Sequence, residues 1–279
     1  MPTFPAPDGT QLAYHVAGSG EPLLCLPGGP MQASEYLGDL GGLAAHRQLI
    51  LLDLRGTGES AQPLDPSTYR VDRQVADVEA LRAHLDLDRI DLLGHSAGAS
   101  LAVGYAAAHP NRVASLALIT PSPRPFGIET AADDRWAQLR GRAAEPWYPE
   151  VAAAFEAVAA GRGTDADWAA MAPMSYGRWD ETARAHHAAE TFHSNNRAAG
   201  IYYSDGAIAP AATRAAAARL TAPVLVLAGG LDWGTTPTAA AEVAAAFPAG
   251  TLVVQPGAAH FPWLDDPAAF TASLADFLR

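Results

Sequence analysis

The sequence predicts an α/β chain, with a mostly parallel central sheet, helices on both faces and one helical insertion. Three observations predict it. Short apolar runs end in glycine, aspartate or proline. Segments of helical spacing lie between those runs. The alternation stops at about Pro121 and resumes at Pro223.

The elements follow in order. Phe4 to Val16 holds Asp8-Gly9-Thr10 between two extended pieces, which reads as a hairpin. Leu23-Leu24-Cys25-Leu26 and Gln48-Leu49-Ile50-Leu51-Leu52-Asp53 are apolar runs of strand length. Val71, Val75, Val78, Leu81 and Leu85 recur every three or four residues, the period of a helix with one buried face. Arg89 to Gly94 is the next strand, and Ala99 to His109 is a small-residue helix stopped by Pro110. Val113 to Ile119, Pro223 to Leu227 and Thr251 to Val254 complete the strands, with an alanine-rich helix from Thr238 to Phe247 before Pro248. Runs this short and this apolar suit strands covered on both faces. Residues 121–210 contain no such run. They carry alanine-rich helical segments, several tryptophans and many polar residues, and are predicted to form an inserted helical cap. Residues 1–120 and 211–279 then form the core domain. No internal repeat is present.

Composition excludes several classes of function. The chain has 279 residues, 49% hydrophobic and 17% charged, enough to bury a large core. Its net charge is −12, without a basic cluster, so nucleic acid is not expected as a partner. There is no lysine, which removes Schiff-base, Ser-Lys and P-loop chemistry. The single cysteine, Cys25, cannot form an internal disulfide and reads as a buried apolar residue. Met1 to Gly20 lacks the basic and long apolar regions of a secretory signal, and no apolar run approaches the roughly 20 residues that span a bilayer. A cytoplasmic protein with no membrane partner is expected, and no coiled-coil or edge signal indicates its oligomeric state.

One motif carries the chemistry. In Gly94-His95-Ser96-Ala97-Gly98 the G-x-S-x-G pattern lies between a predicted strand and a predicted helix. That placement forces a sharp turn that exposes the serine oxygen at the C-terminal edge of the sheet. The helix N-terminus behind it favours developing negative charge. A serine hydroxyl needs a base. His260, in the loop after the Thr251–Val254 strand, is the candidate among nine histidines, while His95 reads as structural. The base needs a carboxylate, and Asp232 follows the Val224–Leu227 strand, one strand–helix unit before His260. Asp265 and Asp266 are spare carboxylates better suited to starting a helix. Two backbone N–H groups would hold the oxyanion: Ala97, after the nucleophile, and Gly29, in Leu26-Pro27-Gly28-Gly29-Pro30. His186, Glu190 and His193 share a helical face but lack a known metal spacing, so no metal and no cofactor are expected. Trp147, Tyr148, Trp168, Trp179, Tyr202 and Tyr203 are candidates to line an apolar pocket, with Trp179 and Tyr202 chosen among them.

These motifs resemble the α/β-hydrolase superfamily and, within it, the proline iminopeptidase-like branch. Leu26-Pro27-Gly28-Gly29-Pro30 is similar to the family's His-Gly-Gly-Pro loop. Asp53-Leu54-Arg55-Gly56-Thr57-Gly58-Glu59-Ser60 is similar to its Asp-x-Arg-Gly-x-Gly-x-Ser segment, which ties loops near the site. Ala259-His260-Phe261-Pro262-Trp263-Leu264-Asp265-Asp266-Pro267 is similar to its histidine loop. The chain departs from the branch at Pro27, where the family has histidine, and at Ala97, where the peptidases carry tryptophan. The resemblance implies a serine hydrolase acting on an ester, lactone or amide of a small molecule. Its alternatives are a proline iminopeptidase-type aminopeptidase, or a lyase, acyl transferase or cyclase using the same triad. In the peptidases acidic cap residues hold the substrate amine. Glu190, ahead of Asp180 and Glu181, is the matching candidate here.

Overall fold

The apolar runs assemble into one eight-stranded sheet in the computed structural model, which describes residues 1–279. The strands are β1 (Thr3–Pro5), β2 (Gln11–Ala17), β3 (Pro22–Leu26), β4 (Gln48–Leu52), β5 (Ile90–His95), β6 (Val113–Ile119), β7 (Val224–Gly229) and β8 (Gly250–Gln255). Their spatial order is β1-β2-β4-β3-β5-β6-β7-β8. The pairs β1/β2 and β2/β4 are antiparallel, and every later pair is parallel. The expected hairpin is β1 and β2, with Phe4 opposite Leu12.

Helices fill the connections. They are α1 (Val71–His84), α2 (Ala97–Ala108), α3 (Ala132–Arg140), α4 (Tyr148–Ala159), α5 (Asp165–Ala170), α6 (Glu181–His193), α7 (Asn196–Tyr202), α8 (Pro210–Ala217), α9 (Pro237–Ala245), α10 (Pro262–Asp265) and α11 (Pro267–Phe277). Helix α11 begins at Pro267, pre-set for a first helical position, with the Asp266 carboxylate accepting from Ala269 N–H. No helix is long and apolar enough to cross a membrane.

Alternate residues of the central strands enter opposite cores, as the period of a strand requires. Leu24, Leu26 and Leu92 join the larger core with α1, α2 and α9, while Leu23, Cys25 and Leu93 join a second one with Trp263, Phe270 and Leu274. Burial pushes the Cys25 thiol pKa up, so it stays a neutral packing group. The expectation of burial on both faces fails for β8. It is the edge strand and only Gln255 in it is buried. Its period-two pattern is hidden because Leu252 and Val253 are apolar on both faces.

The strand order places the site. The chain steps outward from β3 to β4, then crosses back to add β5 on the other side of β3. Such a reversal opens a crevice beyond the carboxyl ends of β3 and β5, where open α/β sheets bind ligands. Between β6 and β7 the chain runs through α3 to α8 and adds no strand to the sheet. A separate apolar cluster of Leu139, Val151, Ala154, Phe155, Met171 and Met174 holds the middle of this stretch together. Its two ends differ: Phe126, Ala198 and Tyr202 are part of the larger core beneath.

Candidate active site

Ser96 sits between β5 and α2 with φ 51° and ψ −116°. A left-handed backbone at a residue other than glycine costs about 1–3 kcal/mol, and the surroundings hold it there. They can do so because two neighbours lack a side chain. A Cβ on Gly94 would stand 2.7 Å from Ala99 Cα, and one on Gly98 would collide with the carbonyls of Leu26 and Pro27. The tight elbow therefore packs directly on the loop after β3.

Two further loops converge on the serine. Ser96 Oγ lies 2.9 Å from His260 Nε2, and His260 Nδ1 lies 2.8 Å from Asp232 Oδ2. The Asp232 carboxyl is 1% exposed, and its other oxygen accepts from the N–H groups of Gly234 and Thr235 at 2.8 and 3.1 Å. The carboxylate accepts from Nδ1–H, which leaves Nε2 free to accept from the Ser96 hydroxyl. Burial alone would lower the His260 pKa, but the Asp232 charge and hydrogen bond raise it above the ordinary histidine value.

The backbone donors also meet here. Ala97 is the first residue of α2, so its N–H has no partner within the helix. The Gly29 N–H has no acceptor in the protein, and Gly29 lines the same cavity as Ser96 and His260.

Behind the elbow runs a directional chain of hydrogen bonds that sequence reasoning did not find. Gly28 N–H donates to Tyr36 Oη at 2.6 Å, and the Tyr36 hydroxyl meets His95 Nδ1 at 2.7 Å. His95 Nε2 meets the His260 carbonyl at 2.9 Å. A carbonyl can only accept, so Nε2 carries the proton and Nδ1 accepts from the tyrosine hydroxyl. Burial, then the nearby His260, push the His95 pKa well below the ordinary range, which keeps the ring neutral. The expected structural role of His95 thus gains a content: it joins the Gly28–Gly29 loop to the His260 loop. Tyr36→Phe would strand Gly28 N–H and His95 Nδ1 without partners. The expected cost is about 2 kcal/mol of stability, read by denaturant unfolding, with reduced kcat as the two loops loosen.

Asp265 does not start a helix as expected; Asp266 does. Asp265 instead accepts from Ala259 N–H at 2.7 Å and Gly177 N–H at 2.8 Å, tying the histidine loop to the insertion. Asp53 and Arg55 tie loops together. Asp53 accepts from Ser34 N–H, Ser34 Oγ and Glu59 N–H, and Arg55 forms a buried pair with Asp77.

A cavity of about 360 Å³ opens above Ser96, His260 and Gly29, walled by Trp168, Tyr176, Trp233 and Phe261. Glu190 lines it and pairs with His187 at 3.2 Å. Asp180 is occupied in capping α6, and Glu181 lies in the exposed first turn of that helix. Two aromatic candidates are corrected. Tyr202 is fully buried in the larger core, and its hydroxyl donates to the Ala97 carbonyl at 3.0 Å, so it braces α2 from behind. Trp179 packs against Tyr176 and His187 with Arg184 over its face, outside the cavity wall. Trp168 is the aromatic of that group which reaches this cavity. Sequence reasoning missed Trp233 and Phe261, though each directly follows a candidate triad residue. The three residues of the helical face do not converge on one point: His186 bonds Tyr176 and the Tyr36 carbonyl, and His193 approaches Glu35 at 3.5 Å.

Comparison with known proteins agrees with the architecture. The model of the family described as alpha/beta hydrolase fold matches residues 21–267. Over 104 residues the chain is 38% identical to the proline iminopeptidase of Heyndrickxia coagulans, covering 37% of this chain and 36% of that one. The chain thus spans about a third of the length of that curated relative. Among solved structures, the esterase RhEst1 from Rhodococcus sp. ECU1013 superposes with a TM-score of 0.77 at 24% identity, covering 99% of this chain and 98% of that one. The proline iminopeptidase of Mycobacterium smegmatis gives 0.75, also at 24% identity, covering 99% and 97%. At such identities these structures share the fold.

Proposed function

Because the chain belongs to the α/β-hydrolase family, we propose that it hydrolyses an ester, lactone or amide of a small molecule through an acyl-serine intermediate. One observation carries this reading: the continuous relay from Ser96 Oγ through His260 to Asp232 at the floor of a cavity. Ser96 Oγ attacks the substrate carbonyl while His260 Nε2 takes its proton. Asp232 holds the ring in the required tautomer and stabilises the imidazolium. Gly29 and Ala97 N–H groups receive the negative charge that develops on the carbonyl oxygen. His260 then protonates the leaving group, and water attacks the acyl-serine with His260 again as base. Residues 121–210 act as the cap, which contributes Trp168 and Tyr176 to the aromatic wall over the reacting centre.

The aromatic, partly polar wall and the absence of tryptophan at Ala97 favour esters over prolyl amides. Glu190 in the wall and the similarity to proline iminopeptidases favour the second reading, an aminopeptidase whose substrate amine meets Glu190. A panel of p-nitrophenyl esters beside prolyl and alanyl arylamides separates them. Turnover of short esters with arylamides at least about 100-fold slower in kcat/KM is expected; that is a difference of about 3 kcal/mol in transition-state binding. Faster cleavage of the prolyl arylamide, lost in Glu190→Gln, would reverse the order. Turnover in heavy-oxygen water must place the label in the released acid, which a lyase or cyclase would not do.

A further inference from the structure

A second chamber, of about 760 Å³, shares Gly29, Ser96, Trp233 and His260 with the first, and its wall carries Arg124 and Arg135. Arg47, Arg55, Arg70, Arg82 and Arg112 each pair with a carboxylate, as a net charge of −12 makes easy. Arg124 and Arg135 form no ion pair and donate no side-chain hydrogen bond. Arg124 rests over the Tyr203 ring at 5.2 Å and Arg135 over the Trp233 ring at 6.0 Å. Arg135 Nε is buried without any partner. Stacking on a ring orients a guanidinium and leaves its N–H edge free. Ser96 and His260 line the same chamber as both guanidinium groups.

We propose that this chamber seats a carboxylate of the substrate, held by Arg124 and Arg135, so that the preferred substrate is a monoanionic ester or lactone. The proposal rests on the hydrolase reading of Ser96. The charge of the wall argues for a carboxylate over a doubly charged phosphate. Glu129 lies in the same wall, leaving two cations against one anion, an excess of one positive charge. Guanidinium edges match a carboxylate in geometry as well as charge. An overall acidic protein repels an anionic substrate at long range, and a local unpaired cation pair beside the nucleophile offsets that where it matters.

The test uses matched ester pairs differing only in charge: mono-p-nitrophenyl glutarate against its methyl ester, and 3-acetoxybenzoate against its methyl ester. These place the carboxylate on the acyl and the alcohol side. In at least one pair the anionic member is expected to have kcat/KM about tenfold higher at low salt, falling as salt rises. Arg135→Gln and Arg124→Gln should bring that ratio toward one, and Arg135→Lys should retain more of it than Arg135→Gln. Equal or inverted ratios in both pairs, or ratios untouched by the variants, would overturn the proposal while leaving the hydrolase reading intact. A measurement without turnover keeps the two separate. Ser96→Ala should bind mono-p-nitrophenyl glutarate more tightly than its methyl ester by calorimetry, and the double variant with both arginines changed to glutamine should lose the difference. No difference in the Ser96→Ala protein would overturn the carboxylate site whatever Ser96 does.

Discussion

Ser96→Ala is expected to lower kcat on a good ester by about 10⁴-fold or more. The oxygen removed is the one 2.9 Å from His260 Nε2, so the relay then has no atom to activate. What remains is the binding cavity and the Gly29 and Ala97 donors, which alone still favour attack by water over the uncatalysed rate. Stability should hardly change. The Ser96 side chain faces the cavity, and His260 Nε2 can bond water once the hydroxyl is gone. Steady-state rates paired with thermal melts check both statements. A variant retaining a tenth of the wild-type kcat would require another nucleophile.

Asp232→Asn should cost nearly as much, about 10⁴-fold in kcat. The introduced amide can keep its oxygen on the Gly234 and Thr235 N–H groups, which turns its nitrogen toward His260 Nδ1. That nitrogen donates, so Nδ1 must accept and Nε2 must carry the proton. The imidazole then points a donor at Ser96 and cannot take its proton. The same change moves the pH profile. In the wild type the carboxylate outweighs burial and raises the His260 pKa above about 6.5. The neutral ring is the base, so kcat/KM should fall as pH drops through a pKa above that value. In Asp232→Asn burial is opposed only by the more distant Glu190 charge, so the small residual activity should persist to lower pH. A pH–rate profile of both proteins reads the shift.

His260 and Asp232 are legible in the sequence because each stands a few residues past a strand whose ends are marked by apolar composition. The elbow is legible because Gly94 and Gly98 mark close approaches that only glycine permits. Residues acting across long separations leave no such trace. Tyr36 sits in a single 3-10 turn, Ser34–Leu37, without periodicity, and meets His95 59 positions away. Tyr202 and Trp179 are misplaced by sequence because an aromatic in an irregular helical stretch can face core, cavity or neighbour with the same local pattern. The hydroxyl of Tyr202, at the end of α7, reaches back to α2. Arg124 and Arg135 carry no signal in the sequence, since the absence of a partner is a property of the folded surroundings. The edge position of β8 is likewise hidden by its composition.

The nucleophile itself is tested most directly by labelling with a fluorophosphonate, followed by peptide mapping by mass spectrometry. One adduct is expected, on the oxygen of Ser96, blocking turnover in step with labelling and absent from Ser96→Ala. Full turnover with Ser96 unmodified, or a stoichiometric adduct on another residue, would contradict the assignment.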